Sequence, residues 1–214
     1  MLLSNIKKIF FNNNDFLNNE TLMNGNMSES SLLHFRRKRS LKQINNIYYF
    51  WNYDKDFKIL ISTMKFKNKM GLAREISELI KEGVSFVLEK EEIDYIIPVP
   101  ISKERQTERG FNQVEVILEE LKLQYTKIKR IKNTKKMFQI LNEEKRDQNI
   151  KNSFFVTSDT DLNNKNILLF DDIITTGSTL REIKKEIQKS YNVKKITVLT
   201  LAAAREIKVN KGEI

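Results

Sequence analysis

The sequence predicts an α/β fold with a mostly parallel, twisted sheet flanked by helices. Short apolar runs of strand length, such as Ile167–Phe170, have no polar face and are typical of strands buried on both sides. Between such runs, apolar residues recur at helical spacing, as they do over Gly71–Leu88. Strands that alternate with helices form parallel sheets with right-handed crossovers.

The N-terminal half of this fold begins with an aromatic strand. The run YYFW at 48–51 consists of residues that favour strands, and Phe57–Met64 is a further apolar segment. A helix is predicted over Gly71–Leu88, because its apolar residues lie on one face. The strand Tyr95–Val99 ends at its prolines, since proline lacks the N–H that a sheet ladder needs.

The C-terminal half supplies two more helices and the remaining strands. Apolar residues at intervals of three and four predict one helix around Val114–Leu121 and another that starts near Ser178. The remaining strands are predicted at Tyr125–Ile131, Phe154–Thr157, Ile167–Phe170 and from Lys195 to about Ala202.

Residues 1–45 differ in composition from the rest. Seven asparagines occur in 11–30, and the basic run RRKR follows at 36–39. Such a segment has few apolar anchors. We therefore predict a poorly ordered stretch or small appendage over 1–45, order beginning near Ile47, and one domain over 46–214.

Composition excludes several kinds of site. A chain of 214 residues holds one sizeable domain with an appendage. It contains no cysteine and a single histidine, His34, which excludes disulfides, thiolate zinc sites and imidazole clusters. A Ser-His-Asp hydrolase is disfavoured because His34 lies in an irregular polar region. Any bound metal is expected to have oxygen ligands, which favours Mg²⁺.

The charge balance allows two interpretations. A net charge of +10, from 38 Lys and Arg against 28 Asp and Glu, attracts polyanions such as nucleic acid. Lysines spread among many glutamates are also typical of an ordinary solvated surface. No apolar stretch reaches the roughly 20 residues of a membrane span, and no secretory signal is expected from the first residues, whose apolar segment is short. The prediction is a cytoplasmic protein.

The sequence NILLFDDIITTGSTLR at 166–181 has the composition of a sugar-phosphate site. Asp171 and Asp172 are predicted at the carboxyl end of a buried strand, where ligands of α/β sheets bind. They would repel a phosphate, so they suit ribose hydroxyls or a cation bound through water. The residues that follow offer hydroxyls, backbone amides and one position without a Cβ, which suit a phosphate. These predicted phosphate-binding residues are Thr175, Thr176, Gly177, Ser178 and Thr179.

The alternative for this segment is purely structural. In that interpretation Asp171 begins a turn, Ser178 or Thr179 caps a helix, and no ligand binds. The order of the features, directly behind a buried strand, favours a site.

A basic segment follows another predicted strand. After Pro98-Val99-Pro100 the chain reads ISKERQTERGFNQ, and its guanidinium groups are suited to bidentate binding of pyrophosphate. The alternative is a solvated basic turn whose two arginines merely share one helical face. The predicted pyrophosphate-binding residues are Ser102, Lys103, Arg105 and Arg109.

These motifs resemble two nested families. The acidic pair with its Thr-Thr-Gly loop is similar to the signature of type I phosphoribosyltransferases, which bind phosphoribosyl pyrophosphate. The string PVPISKERQTERGFNQ resembles the hallmark of the competence protein F family, a phosphoribosyltransferase-like group associated with DNA uptake. The resemblance extends from about residue 47 to about residue 204. Many members carry a four-cysteine zinc ribbon, which this chain lacks.

The resemblance implies specific roles. Asp171 and Asp172 would contact the ribose, the loop at 175–179 would bind the 5-phosphate, and a mobile loop with Lys132 and Arg146 would cover the reacting face. Mg²⁺ would accompany phosphoribosyl pyrophosphate as the substrate, and no zinc is expected. The implied partners are this ligand and, in competence, DNA or the proteins of DNA uptake.

Two functions remain open at this stage. The first is transfer of a phosphoribosyl group to or from an unidentified base or amine. The second is a non-catalytic protein that senses the ligand or associates with single-stranded DNA. Fold alone does not separate them.

Overall fold

The computed structural model describes residues 14–18, 20, 27–64, 71–130, 154–155 and 160–204. A five-stranded sheet has the order β1-β2-β7-β6-β3, with a separate two-stranded ribbon of β4 and β5. In chain order the elements are α1 (Glu29–Lys38), β1 (Lys42–Ile44), β2 (Ile47–Asn52), α2 (Lys55–Met64), α3 (Leu72–Lys90), β3 (Tyr95–Pro98), α4 (Lys103–Arg109), α5 (Gln113–Glu120), β4 (Lys129–Arg130), β5 (Phe154–Phe155), β6 (Asn166–Ile174), α6 (Ser178–Ser190) and β7 (Lys195–Ala203).

The predicted fold class is confirmed. Within the five-stranded sheet, β2, β7, β6 and β3 are parallel neighbours, and β1 pairs antiparallel with β2 at one edge. The predicted aromatic strand, the long helix after Gly71, the helix from Ser178 and the last strand all lie within about two residues of their observed bounds. No helix in the described ranges is long and apolar enough to cross a bilayer.

Strand β6 is buried on both faces, which explains why its apolar run is continuous. Ile167 and Leu169 belong to the core on one face of the sheet. Leu168 and Phe170 belong to the core on the other, as the two-residue period of a strand requires. Helix α6 covers the first face, whereas α1, α2, α3 and α5 cover the second. Burial on both faces therefore selects four consecutive apolar residues.

The prediction that this strand ends at Phe170 is wrong. Strand β6 continues to Ile174, because β7 runs beside it and pairs Asp171 with Thr200 and Ile174 with Ala203. The two acids consequently lie within a hydrogen-bonded strand and not in the turn that follows it. Their backbone is fixed by the sheet.

The prediction of a strand over Tyr125–Ile131 is also wrong for most of its length, because among its described residues only Lys129–Arg130 form a strand, β4. Here the chain makes one hydrogen bond to the edge of β3, from Thr126 N to Ile96 O at 2.8 Å. It then leaves the sheet, and β4 pairs antiparallel with β5. Ile131 and the end of the strand predicted over Phe154–Thr157 lie outside the described residues.

Order begins well before Ile47, contrary to expectation. Ser28 caps α1, and the buried carboxylate of Asp15 accepts hydrogen bonds from Ser28 N at 2.6 Å and Ser31 Oγ at 2.8 Å. Phe35 is buried in the core, and its carbonyl accepts a hydrogen bond from the Trp51 indole at 2.9 Å. The division of the chain at residue 45 stays a prediction.

Candidate functional site

The loops after β3 and β6 line one cleft. Pro98 pairs with Phe170, and Val99 N donates to Phe170 O at 2.8 Å, so the two chains leave the sheet side by side. The cleft is lined by residues from both loops and by the start of α5. Among them are Arg105, Arg109, Asn112, Gln113, Asp171, Asp172 and the loop at 175–179. The structure thus brings the acidic, hydroxyl-rich and basic groups together.

The carboxylate of Asp171 lies in an unfavourable electrostatic environment. Desolvation within the cleft raises the pKa of Asp171 well above its ordinary value, and the negative charge of Asp172 raises it further. Two contacts oppose this shift: the hydrogen bond from Asp172 N to Asp171 Oδ1, at 2.8 Å, and the positive charge of Arg105. Asp171 is therefore costly to ionise in the free protein, and added positive charge in the cleft would favour its carboxylate.

The loop between β6 and α6 is held in one conformation. Gly177 has a φ of 74°, in the left-handed region, immediately before α6. The hydroxyls of Thr176 and Ser178 lie 2.9 Å apart. Thr175 is exposed, whereas Ser178 is buried. Preorganised hydroxyls and the free amides of a helix start suit an anionic ligand.

Arg181 holds this loop, and sequence reasoning assigned it no role. Its Nη1 donates to Thr176 O at 2.7 Å and its Nη2 to Ser178 Oγ at 3.3 Å. A cation in the first turn of a helix opposes the helix dipole. That unfavourable placement was the available signal that Arg181 serves the loop.

We predict that Gly177→Val impairs ligand binding more than Ser178→Ala. A β-branched residue at a φ of 74° is strained by about 1–3 kcal/mol and crowds the approach to the backbone. Ser178→Ala removes one hydroxyl and leaves the backbone in place. Calorimetric titration with phosphoribosyl pyrophosphate checks the order, and a weaker affinity for Ser178→Ala than for Gly177→Val would contradict the proposed geometry.

The basic segment forms the short helix α4. Ser102 caps it by accepting a hydrogen bond from Arg105 N at 3.3 Å, and Gly110 ends it with a φ of 81°. Arg105 and Arg109 lie one turn apart on the same face and line the cleft. Lys103 is exposed and is not among the residues that line the cleft. Its part in binding pyrophosphate stays a prediction.

Two buried amides fix the start of α5 against its neighbours. Asn112 Nδ2 donates to Val99 O at 3.0 Å, and its Oδ1 caps α5 by accepting from Val114 N at 3.1 Å. Gln113 Oε1 accepts from Arg109 Nη1 at 3.4 Å. Sequence reasoning gave neither residue a role. Polar residues at the start of an amphipathic helix, directly behind a basic motif, were the signal.

The predicted loop residues Lys132 and Arg146 lie outside the described residues. Within the described ranges, no group of three or more acidic or histidine side chains could hold a metal ion by itself. A cation here would depend on the ligand and water for most of its coordination.

The chain is similar to a phosphoribosyl transferase domain and to competence proteins. The model of the phosphoribosyl transferase domain matches residues 108–213. Competence protein F of Haemophilus influenzae is 33% identical over 163 residues, which are 72% of this chain and 70% of that protein. Competence protein ComFC of Bacillus subtilis is 31% identical over 144 residues, which are 65% of this chain and 55% of that protein.

A solved structure of adenine phosphoribosyltransferase has a TM-score of 0.42 and 15% identity, and the match covers 80% of this chain and 89% of that chain. A likeness at that level adds nothing to the topology described above. The mostly parallel sheet and the domain match identify a type I phosphoribosyltransferase fold. With the identity to competence protein F, they establish that the chain belongs to the competence protein F family of phosphoribosyltransferase-like proteins.

Proposed function

We propose that the chain binds phosphoribosyl pyrophosphate in this cleft and transfers its phosphoribosyl group to or from a base or amine. The observation that carries the proposal is that three groups of residues line one cleft at the carboxyl ends of β3 and β6. These are two adjacent carboxylates, a hydroxyl-rich loop at a helix start, and two arginines on one helical face. Each group matches one part of the ligand: pentose, 5-phosphate and pyrophosphate.

The proposed binding roles follow from donor and acceptor chemistry. Asp171 and Asp172 accept hydrogen bonds from the ribose hydroxyls. The loop at 175–179 donates its hydroxyls and amides to the 5-phosphate. Arg105 and Arg109 bind the pyrophosphate, because guanidinium groups pair with phosphate oxygens in bidentate fashion. Ser102 and Lys103, at the start of the same helix, belong to the proposed pyrophosphate set, although neither is among the residues that line the cleft.

Mg²⁺ fits the donors that are present. Two adjacent carboxylates in a partly open cleft offer oxygen atoms to a hard cation that keeps most of its water. When bound, the metal supplies positive charge beside the pyrophosphate. Asp171 and Asp172 would hold it through their carboxylates.

Catalysis in this proposal needs no protein nucleophile. The anomeric carbon gains positive charge as its C–O bond to pyrophosphate breaks and its bond to the acceptor nitrogen forms, and the carboxylates of Asp171 and Asp172 stabilise that charge from the ribose side. Arg105 and Arg109 stabilise the departing negative charge. Positioning and preorganised electrostatics supply the rate enhancement. Closure over the reacting face by the loop that holds Lys132 and Arg146 remains part of the proposal.

The names of the relatives support a role in DNA uptake as the second part of the proposal. One is competence protein F, and another is DNA utilization protein YhgH of Escherichia coli O157:H7, 28% identical over 141 residues. A non-catalytic ligand sensor or single-stranded-DNA-associated protein in the cytoplasm, in contact with the uptake machinery, is the alternative to an enzyme.

Charge near the amino ends of the strands gives little support to direct DNA binding there. Lys194 pairs with Glu92 at 3.6 Å, and Lys165 pairs with Asp94 at 3.5 Å. Lysines beside acids present little net charge to a polyanion.

The decisive experiment measures pyrophosphate release from phosphoribosyl pyrophosphate with Mg²⁺ and a panel of bases and amines. Release above the protein-free background establishes transfer. Tight binding by calorimetry without release supports a sensor. Salt-dependent binding of single-stranded DNA that is unaffected by changes at 171–179 supports a nucleic-acid role. Absence of phosphoribosyl pyrophosphate binding would overturn the proposal.

A further inference from the structure

Gln113 is a cleft residue to which the proposed function assigns no task. It is the first residue of α5, only 1% of its surface is exposed, and it lines the cleft beside Arg109. Its Oε1 accepts a hydrogen bond from Arg109 Nη1 at 3.4 Å. Because arginine only donates, this contact fixes which end of the amide faces Arg109.

The other end of the amide has no partner. Gln113 Nε2 is buried, and no atom in the described part of the chain accepts a hydrogen bond from it. Rotating the amide by 180° does not help, since Nε2 would then face the donor of Arg109. Buried amides are nearly always paired, and an unpaired donor destabilises the free protein. A ligand with an acceptor oxygen would remove this cost.

We propose that Gln113 Nε2 donates a hydrogen bond to the pyrophosphate part of the ligand, while Gln113 Oε1 orients Arg109 toward the same group. The inference rests on the proposed function, because it names a further contact in that site. The pyrophosphate is the appropriate part because Arg105 and Arg109 lie on the same side of the cleft as Gln113. The acids and the 175–179 loop belong to the neighbouring strand and its connection.

The test uses Gln113→Met in the full chain, with Gln188→Met as the matched control. Methionine has similar length and no amide, and Gln188 is exposed on α6. Calorimetry with Mg²⁺ measures the affinity for phosphoribosyl pyrophosphate, inorganic pyrophosphate and ribose 5-phosphate. Gln113→Met is expected to weaken the first two by about tenfold, the scale of one hydrogen bond to a charged group. Its affinity for ribose 5-phosphate and all affinities of Gln188→Met are expected to stay within about twofold of the wild type.

Thermal denaturation separates this role from a structural one. Gln113→Met removes an unpaired buried donor, which favours the free protein, and also the acceptor for Arg109, which opposes this gain, so the Tm of the free protein should stay close to that of the wild type. A lower Tm together with equal weakening for all three probes would overturn the inference, as would unchanged affinity for pyrophosphate. A wild-type protein that binds none of the probes would instead overturn the proposed function, and this contact with it.

Discussion

Asp172→Asn is expected to reduce affinity for phosphoribosyl pyrophosphate, or turnover, by about 10²- to 10³-fold, by analogy with other preorganised charge-stabilising groups. The change keeps the shape of the side chain and removes the charge that would hold the ribose hydroxyls and stabilise a cationic sugar. Asp172 lies in β6, paired with β7, so its backbone position should survive the substitution. Calorimetric titration and pyrophosphate release measure the effect.

Asp161→Asn is the matched control for this prediction. Asp161 is exposed, and its carboxylate accepts hydrogen bonds from Asn163 N at 2.9 Å and Asn163 Nδ2 at 2.8 Å in a turn outside the cleft. Its substitution should leave binding and turnover near the wild-type values. If the two variants behave alike, the acidic pair does not hold the ligand.

Asp171→Asn is expected to have opposite effects on stability and on function. The pKa of Asp171 is raised in the folded protein, mainly because burial in the cleft disfavours the carboxylate. Between its ordinary pKa of 3.8 and the raised value, the folded state binds more protons than the unfolded state. The contribution of Asp171 to stability is therefore greatest below the ordinary pKa and declines as pH rises through the raised pKa. Asparagine does not titrate, so its contribution to the free energy of unfolding does not decline with pH in this way.

The measurement compares the two proteins across pH. The variant should gain stability relative to the wild type as pH rises above the ordinary pKa of 3.8 and through the raised pKa of Asp171. Its Oδ1 can still accept from Asp172 N. Affinity for phosphoribosyl pyrophosphate should nevertheless fall by about tenfold or more, since one ribose contact is weakened. A Tm difference that does not change with pH would contradict the raised pKa.

Local patterns predicted much of this molecule. The run at 167–170 is apolar because both faces of β6 are covered, and the spacing of Leu180, Ile183 and Ile187 reports one buried helical face. Both signals are contained in a few neighbouring residues. The order of acids, hydroxyls and glycine likewise predicted a sugar-phosphate site without knowledge of the sheet.

Long-range pairing accounts for what the sequence pattern missed. Charged residues at 171–172 look like the end of a strand, but β7 extends the pairing to Ile174. The N-terminal segment looks irregular in sequence, yet Ser28 N donates a hydrogen bond to the carboxylate of Asp15, thirteen residues earlier in the chain.

Among the residues that the structure describes, no strand pairing joins the ribbon of β4 and β5 to the central sheet. Insertions or deletions within residues 131–153, which connect its two strands, would therefore not shift the register of β6, where a one-residue slip would reverse the direction of every side chain. A change of length between the two strands of this ribbon would thus leave the backbone of Asp171 and Asp172 in register, and with it the proposed contact to the pentose.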